Sequence, residues 1–520
     1  EAPAEEICSC GGEAPAEEIC NCGGEAPAEK IRSCGGEAEG LRYGGAYKLC
    51  WRDSQGGWYG AGSERLQRGM SLTGERLDGA CPDGAAWVET SGISGAEPGN
   101  CAAVCGDVLE RAVLRWSPVK HIYTECLAHI DLDNEEELDR IPAVAVYSDG
   151  SAVKRDVRWT LERQEGAEHG ACVAKGELQT EQYTFPLAVG YGDPVIFPWN
   201  GSWYFVGTND NVDDIGLYAR KADSVAGLFE EDVRCQILLD RDEERGFIQT
   251  FWAPEFHVIG GELYLLFAVS GKVWGPQCHL MKLKKGGEIL NPKDWEEPVR
   301  IRRKDGSWLA QDGITLDMTY LKGKNASYMV WSYRRNIGTE KDTGSMLYIA
   351  EIDEATPWQL KSEPVLLSRP LYGWENVNGT INNEGPNGFV KDGRIYLGYS
   401  GGAANSYTYA VGLLTADWEA DLLRPENWKK ADTPVLSFYS VEGEYGPGHH
   451  SFFVNEQGEL MIAYHAEDAL EHTVRCDGIR RVHFDVEGRP RFDLSNEDDR
   501  NPACSTIRVK ATLNTSSADW

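Results

Sequence analysis

Positive charge is in short supply in this 520-residue chain: 51 Lys and Arg stand against 83 Asp and Glu, a formal net charge of −32. That balance repels nucleic acid and anionic membrane, and it suits a neutral or weakly charged substrate. No apolar run is long enough to span a bilayer. Absent too are an initiator Met and a signal-peptide apolar segment, which fits a mature form, a fragment or a cytoplasmic protein alike. Aliphatic residues are scarce at the start: the first hundred positions hold ten Val, Ile and Leu, so any fold there is small or stapled. The 15 Cys are odd in number, which excludes a complete set of internal disulfides. Eleven precede residue 173, and Cys235, Cys278, Cys476 and Cys504 are far apart, as ordinary thiols would be.

Residues 1–36 are three near-copies of a twelve-residue unit, EAPAEEICSCGG, EAPAEEICNCGG and EAPAEKIRSCGG. One Ile per unit cannot build a core, so this reads as a low-complexity, disordered extension. Cys8 with Cys10 and Cys20 with Cys22 raise a metal reading, but the third copy has Arg32 at the first Cys position. Residues 37–117, rich in Gly and Cys, receive no assignment. From about 118 to 185, HIYTECLAHIDL and IPAVAVYSDGSAVKRDVRWTL alternate apolar and polar residues around an Asp149-Gly150 turn. This stretch resembles a small immunoglobulin-like module of the kind found in carbohydrate-active enzymes and is expected to act as a spacer. Residues 499–520 read as a C-terminal tail.

Between 186 and 498 the texture is a repeated hairpin. Gly201, Gly261, Gly323, Gly393 and Gly458 each sit between two alternating apolar runs and are 60, 62, 70 and 65 residues apart. Five antiparallel units of nearly constant length predict a five-bladed β-propeller, since radial closure leaves only short, protected edges. The fold class is therefore all-β. Aromatic content of 10%, with 17 Trp, adds surfaces on which flat ligands stack.

Three acids lie in the first strand of such units: Asp193 in YGDPVIF, Asp317 in ITLDMTYL and Glu384 in NNEGPNGF. Asp193 before Pro194 and Glu384 before Gly385-Pro386 would, taken singly, pass for turn or loop carboxylates. Asp317 would not, because an unpaired carboxylate between Leu316 and Met318 is costly to bury. The inner strands of a propeller point toward one end of its channel, so acids from different blades can meet there. Cleaving a glycosidic bond needs an acid on one face of the sugar and a base or nucleophile on the other, and a third carboxylate can raise the acid's pKa.

The motifs GDP (192–194), WAPEFH (252–257), LD (316–317), EGP (384–386) and GPGHHSF (446–452), in this order, resemble glycoside hydrolase family 43 over about residues 189–490. The resemblance implies a five-bladed propeller acting on arabinose- or xylose-containing plant polysaccharides or oligosaccharides by inversion. It makes Asp193 the general base, Glu384 the general acid and Asp317 the residue that tunes Glu384, with base and acid roughly 6.5–9.5 Å apart. It places Trp252 on the sugar pocket wall and His449 near a hydrated calcium or other ion in the channel, although no cofactor is required for the chemistry. Arg334 and Arg480 are candidates for sugar hydroxyls. An exo-acting α-L-arabinofuranosidase is the first expectation, a β-xylosidase or other exo-glycosidase the next, and a non-catalytic sugar-binding propeller the alternative from another class. The retaining, fructan-cleaving propellers carry Asn-Asp-Pro-Asn-Gly, which this chain lacks at Asp193.

Overall fold

A computed structural model describes residues 119–163, 171–179, 183–377, 379–441, 443–470 and 474–514, together with the backbone of short strands between 32 and 104. The repeat tract and its metal reading lie outside the described residues.

Five antiparallel sheets follow one another along the chain, four of four strands and a fifth of three, each meandering outward from its first strand. The inner strands are Tyr191–Trp199, Gln249–Ile259, Ile314–Lys322, Asn383–Lys391 and Tyr445–Val454. Each predicted turn glycine falls between the first and second strands of its sheet. Apolar side chains of neighbouring blades interdigitate, as where Phe256 and Leu265 of blade two pack with Tyr204 and Val206 of blade one. The ring closes by hydrogen bonds rather than by a fourth C-terminal strand. Leu187 N–H donates to Asp477 O and Asp477 N–H to Ala188 O, both at 2.9 Å, so the segment entering blade one also edges blade five.

The five inner strands share a device that positions the site. Each is interrupted by a β-bulge, at Gly192/Val195, Trp252/Glu255, Leu316/Thr319, Glu384/Asn387 and Gly448/Ser451. Within it one residue adopts a left-handed backbone: Asp193 (φ 57°), Ala253 (45°), Asp317 (54°), Gly385 (54°) and His449 (36°). Bulges re-aim side chains, and a left-handed backbone in a residue other than glycine costs about 1–2 kcal/mol. Four of the five blades bear that cost.

The module before the propeller is a two-sheet sandwich. One sheet holds Ala152–Arg155, Ala143–Tyr147 and His121–Glu125. The other holds His129–Leu132, Val157–Arg163, Ala171–Leu178 and, between the first and last of these, Thr506–Leu513. The predicted tail at 499–520 is thus corrected: its apolar alternation at Val509 and Ala511 completes the module's core with Ile130, Leu132 and Ala174. Asp499 joins module to propeller, accepting hydrogen bonds from Tyr147 at 2.7 Å, from Arg155 at 3.0 Å and from Arg481 at 2.9 Å.

Candidate active site

The bulges bring Asp193, Asp317, Glu384 and His449 together at one end of the channel. Asp193 is 6% exposed. Its Oδ1 lies 3.1 Å from His449 Nδ1 and accepts from Arg475 Nη1 at 3.1 Å, and its Oδ2 accepts from Thr208 Oγ1 at 2.5 Å. Its own N–H donates to His465 Nδ1 at 3.1 Å. Burial opposes the charge on Asp193, but the His449 and Arg475 cations outweigh it and hold the carboxyl well below its usual range. Burial likewise opposes a charge on His449, and the surrounding carboxylates, Asp193 first, raise its pKa above the ordinary histidine value.

Asp317 has the opposite environment. Ser332 Oγ and the Gly385 N–H each donate to its Oδ2 at 3.1 Å. Burial is the largest influence and raises its pKa; His449 lowers it, while the charges of Glu384 and Asp193 raise it further, leaving it at about 7. Glu384 accepts a hydrogen bond from Tyr409 OH at 2.9 Å. The Gly385 N–H therefore ties the backbone beside Glu384 to the carboxylate of Asp317.

Glycine is required twice here. A Cβ on Gly448 would lie 2.2 Å from the Tyr409 ring, and one on Gly385 would lie 3.0 Å from the His449 ring. A side chain at Gly448 would force the Tyr409 ring to move, and one at Gly385 would press the His449 ring by a few tenths of an ångström.

Trp252 stands where its bulge begins and donates Nε1–H to Asp214 at 2.8 Å. It is linked to Asp193 at a distance, because Arg475 bonds Asp210 with Nε at 2.9 Å while reaching Asp193, and Asp210 also acts on Asp214. Arg334 lies within electrostatic reach of Glu384, but its guanidinium is engaged by Asp342 at 2.9 and 2.7 Å. Arg480 is not brought to the cluster. It is buried and paired with Tyr464 and Glu444, both at 2.6 Å. Strand alternation explains this: Arg475 and Arg480 are five apart on Arg475–Arg481 and so face opposite sides of the sheet.

Sequence reasoning missed Arg475, Tyr409, Thr208 and His465. His465 carried a usable signal, since a histidine within LMIAYHAE is as anomalous in an apolar strand as Asp317 in its own. It is 1% exposed, stacks on Tyr409 at 5.4 Å, and burial pushes its pKa down to about 4, which keeps it neutral. Below the acids, Asn387 Nδ2 donates to Glu255 Oε2 at 3.1 Å across the channel, so Glu255 ties blades together.

Among the described residues no three His, Cys, Asp or Glu side chains are grouped to hold a metal ion, and His449 turns Nδ1 to Asp193. Calcium favours six to eight oxygen ligands, which these side chains do not assemble.

The model of glycosyl hydrolases family 43 matches residues 187–490. An extracellular exo-α-(1→5)-L-arabinofuranosidase of Streptomyces chartreusis is 30% identical over 347 residues, covering 66% of this chain and 97% of that protein. One of the same name from Streptomyces avermitilis is 29% identical over 332 residues, covering 62% of this chain. This chain spans 65% of the length of that relative. The crystal structure of an α-L-arabinofuranosidase from Lactobacillus brevis aligns with a TM-score of 0.52 and 28% identity, covering 60% of this chain and 96% of that one.

Proposed function

This chain belongs to glycosyl hydrolases family 43, and from that premise we propose that it is an inverting, exo-acting α-L-arabinofuranosidase that removes terminal arabinose from plant cell-wall polysaccharide or oligosaccharide. One observation carries the mechanism: of two buried aspartates at equivalent positions, one is held well below the ordinary carboxylate range and the other is raised to about 7 by burial and by the charges of Glu384 and Asp193. Asp193, kept ionised by His449 and Arg475, takes the proton of a water as it attacks the anomeric carbon. Glu384, oriented by Tyr409 OH, protonates the departing glycosidic oxygen from the opposite face. Asp317 stands against Glu384 as a second carboxyl, and burial together with the Glu384 charge raises its pKa to about 7, so Asp317 keeps a proton beside the general acid up to near neutrality. Inversion follows because the attack and the departure are on opposite faces and no covalent intermediate forms.

The names of the two Streptomyces relatives support arabinose and the exo mode, and the net charge of −32 suits an uncharged glycan. The test is hydrolysis of an aryl α-L-arabinofuranoside and an aryl β-D-xyloside, with Asp193→Ala as control for contaminating activity. Cleavage of the arabinoside that vanishes in Asp193→Ala is expected. Faster cleavage of the xyloside would replace the sugar and keep the mechanism; cleavage of neither would favour a binding propeller.

A further inference from the structure

The loops flanking the acids carry one partly exposed aromatic surface. Gly401 pairs with Asn383, so residues 402–409 leave the sheet directly beside Glu384. Residues 431–441 follow the outer strand of blade four, and the inner strand of blade five begins at Tyr445. That strand runs so close to the first segment that a Cβ on Gly446, a residue with φ of 64°, would lie 2.2 Å from Ser406 O. Between them four rings form a continuous group around Phe438. Tyr407 meets it edge-on at 5.5 Å, Tyr439 tilts against it at 5.2 Å, and Tyr445 stacks on it at 5.3 Å. Tyr439 is 46% exposed and Tyr407 37%.

We infer that Tyr407, Phe438, Tyr439 and Tyr445 form a platform for the sugar on the leaving-group side of the scissile bond. The inference rests on the function proposed above. Its argument is position: the platform adjoins Glu384, the group that protonates the departing oxygen, and Tyr409, two residues after Tyr407, bonds that acid directly. Asp193, where water is activated, belongs to blade one. The C–H faces of a sugar pack against aromatic rings, and a few rigid aromatic anchors supply binding area at little entropic cost. Such a platform engages an oligosaccharide and is not reached by a single arabinose in the terminal pocket.

The experiment compares the KM for α-(1→5)-linked arabinotriose with the inhibition constant of free arabinose, in wild type and Tyr407→Ala/Tyr439→Ala. The double variant is expected to raise KM about tenfold, the order of a single aromatic anchor, with the arabinose constant moved less than twofold. Tyr407→Phe/Tyr439→Phe, which keeps both rings, is expected to hold KM within twofold, and melting curves confirm that each variant is folded. A KM unchanged in the folded alanine variant overturns the platform and leaves the glycosidase reading intact. Equal tenfold changes in KM and the arabinose constant also overturn it, because they mean a distorted terminal pocket. Wild type that hydrolyses neither arabinotriose nor an aryl arabinoside overturns the function and the platform with it.

Discussion

Asp193 in blade one and Asp317 in blade three occupy the same place in the same bulge, with φ of 57° and 54°, and both are buried. Their protonation nevertheless diverges: the first carboxyl is held well below its ordinary value and the second is raised to about 7. The strands do not account for this, but the neighbours do. Ring closure places blade five against blade one, so Asp193 receives His449 from the inner strand and Arg475 from the outer strand of that blade. Asp317 lies between blade two, whose equivalent residue is Ala253, and blade four, which contributes Glu384. A repeated backbone device thus supplies a base and a proton-holding acid because the ring is chemically asymmetric around it.

The largest effect is expected from Asp193→Asn, which removes the base and leaves Arg475 and His449 without their central anion. The kcat should fall by about 10³-fold or more, within the range for lost general-base catalysis. The folded state should also weaken, since Arg475 keeps Asp210 but both it and His449 lose their shared buried anion. Steady-state kinetics and a denaturant melt check both. A kcat within tenfold of wild type would remove Asp193 from the role of base.

Asp317→Asn should lower kcat by about 10²-fold, yet act oppositely on stability. A carboxyl raised from 3.8 to about 7 means that the folded state holds a proton the unfolded chain has lost between those values. Stability therefore falls as pH rises through that window, and above about pH 7 the folded state bears the full cost of a buried charge. The amide has no charge to bury, so the variant should melt several degrees above wild type at pH 8, with the advantage gone near pH 4. Asp193 contributes with the other sign: its stabilisation is complete above its unfolded value of 3.8 and is lost only as pH falls well below that. In wild type, kcat/KM should decline as pH rises through about 7, where Asp317 loses its proton, and the variant should shift that limb. An unmoved limb together with equal melting temperatures at pH 8 would show that the two aspartates do not differ in the way argued.

Much of this contrast was open to sequence reading, and part of it was not. The five turn glycines and the acids Asp193, Asp317 and Glu384 follow local patterns, because a hairpin writes its turn and its alternation into neighbouring residues. The asymmetry rests on Arg475, Tyr409 and His465, which reach the acids only through closure of the ring, and no local pattern announces them. Arg480 is the candidate that the sequence offers and Arg475 is not, because the arginines of one strand look alike until the parity of the strand is known. The segment 499–520 read as a tail because its pairing partners, Ala171–Leu178 and His129–Leu132, lie more than 300 residues earlier.

The smallest expected effect comes from blade two, where the bulge carries no chemistry of its own. Ala253 has φ of 45°, is 2% exposed, and offers the site only its N–H, which donates to Thr208 Oγ1 at 2.9 Å. Ala253→Gly keeps that N–H and relieves a left-handed conformation worth about 1–2 kcal/mol. Against this stand the extra chain entropy of glycine, about 0.5–1 kcal/mol, and a buried methyl group, about 0.8 kcal/mol. The terms nearly cancel, so unfolding free energy should move by less than about 1 kcal/mol and kcat by less than twofold. A change above about 2 kcal/mol in a denaturant melt would mean that strain at one bulge is shared around the ring. Asp193 and Asp317 would then differ in backbone energy as well as in the charges that surround them.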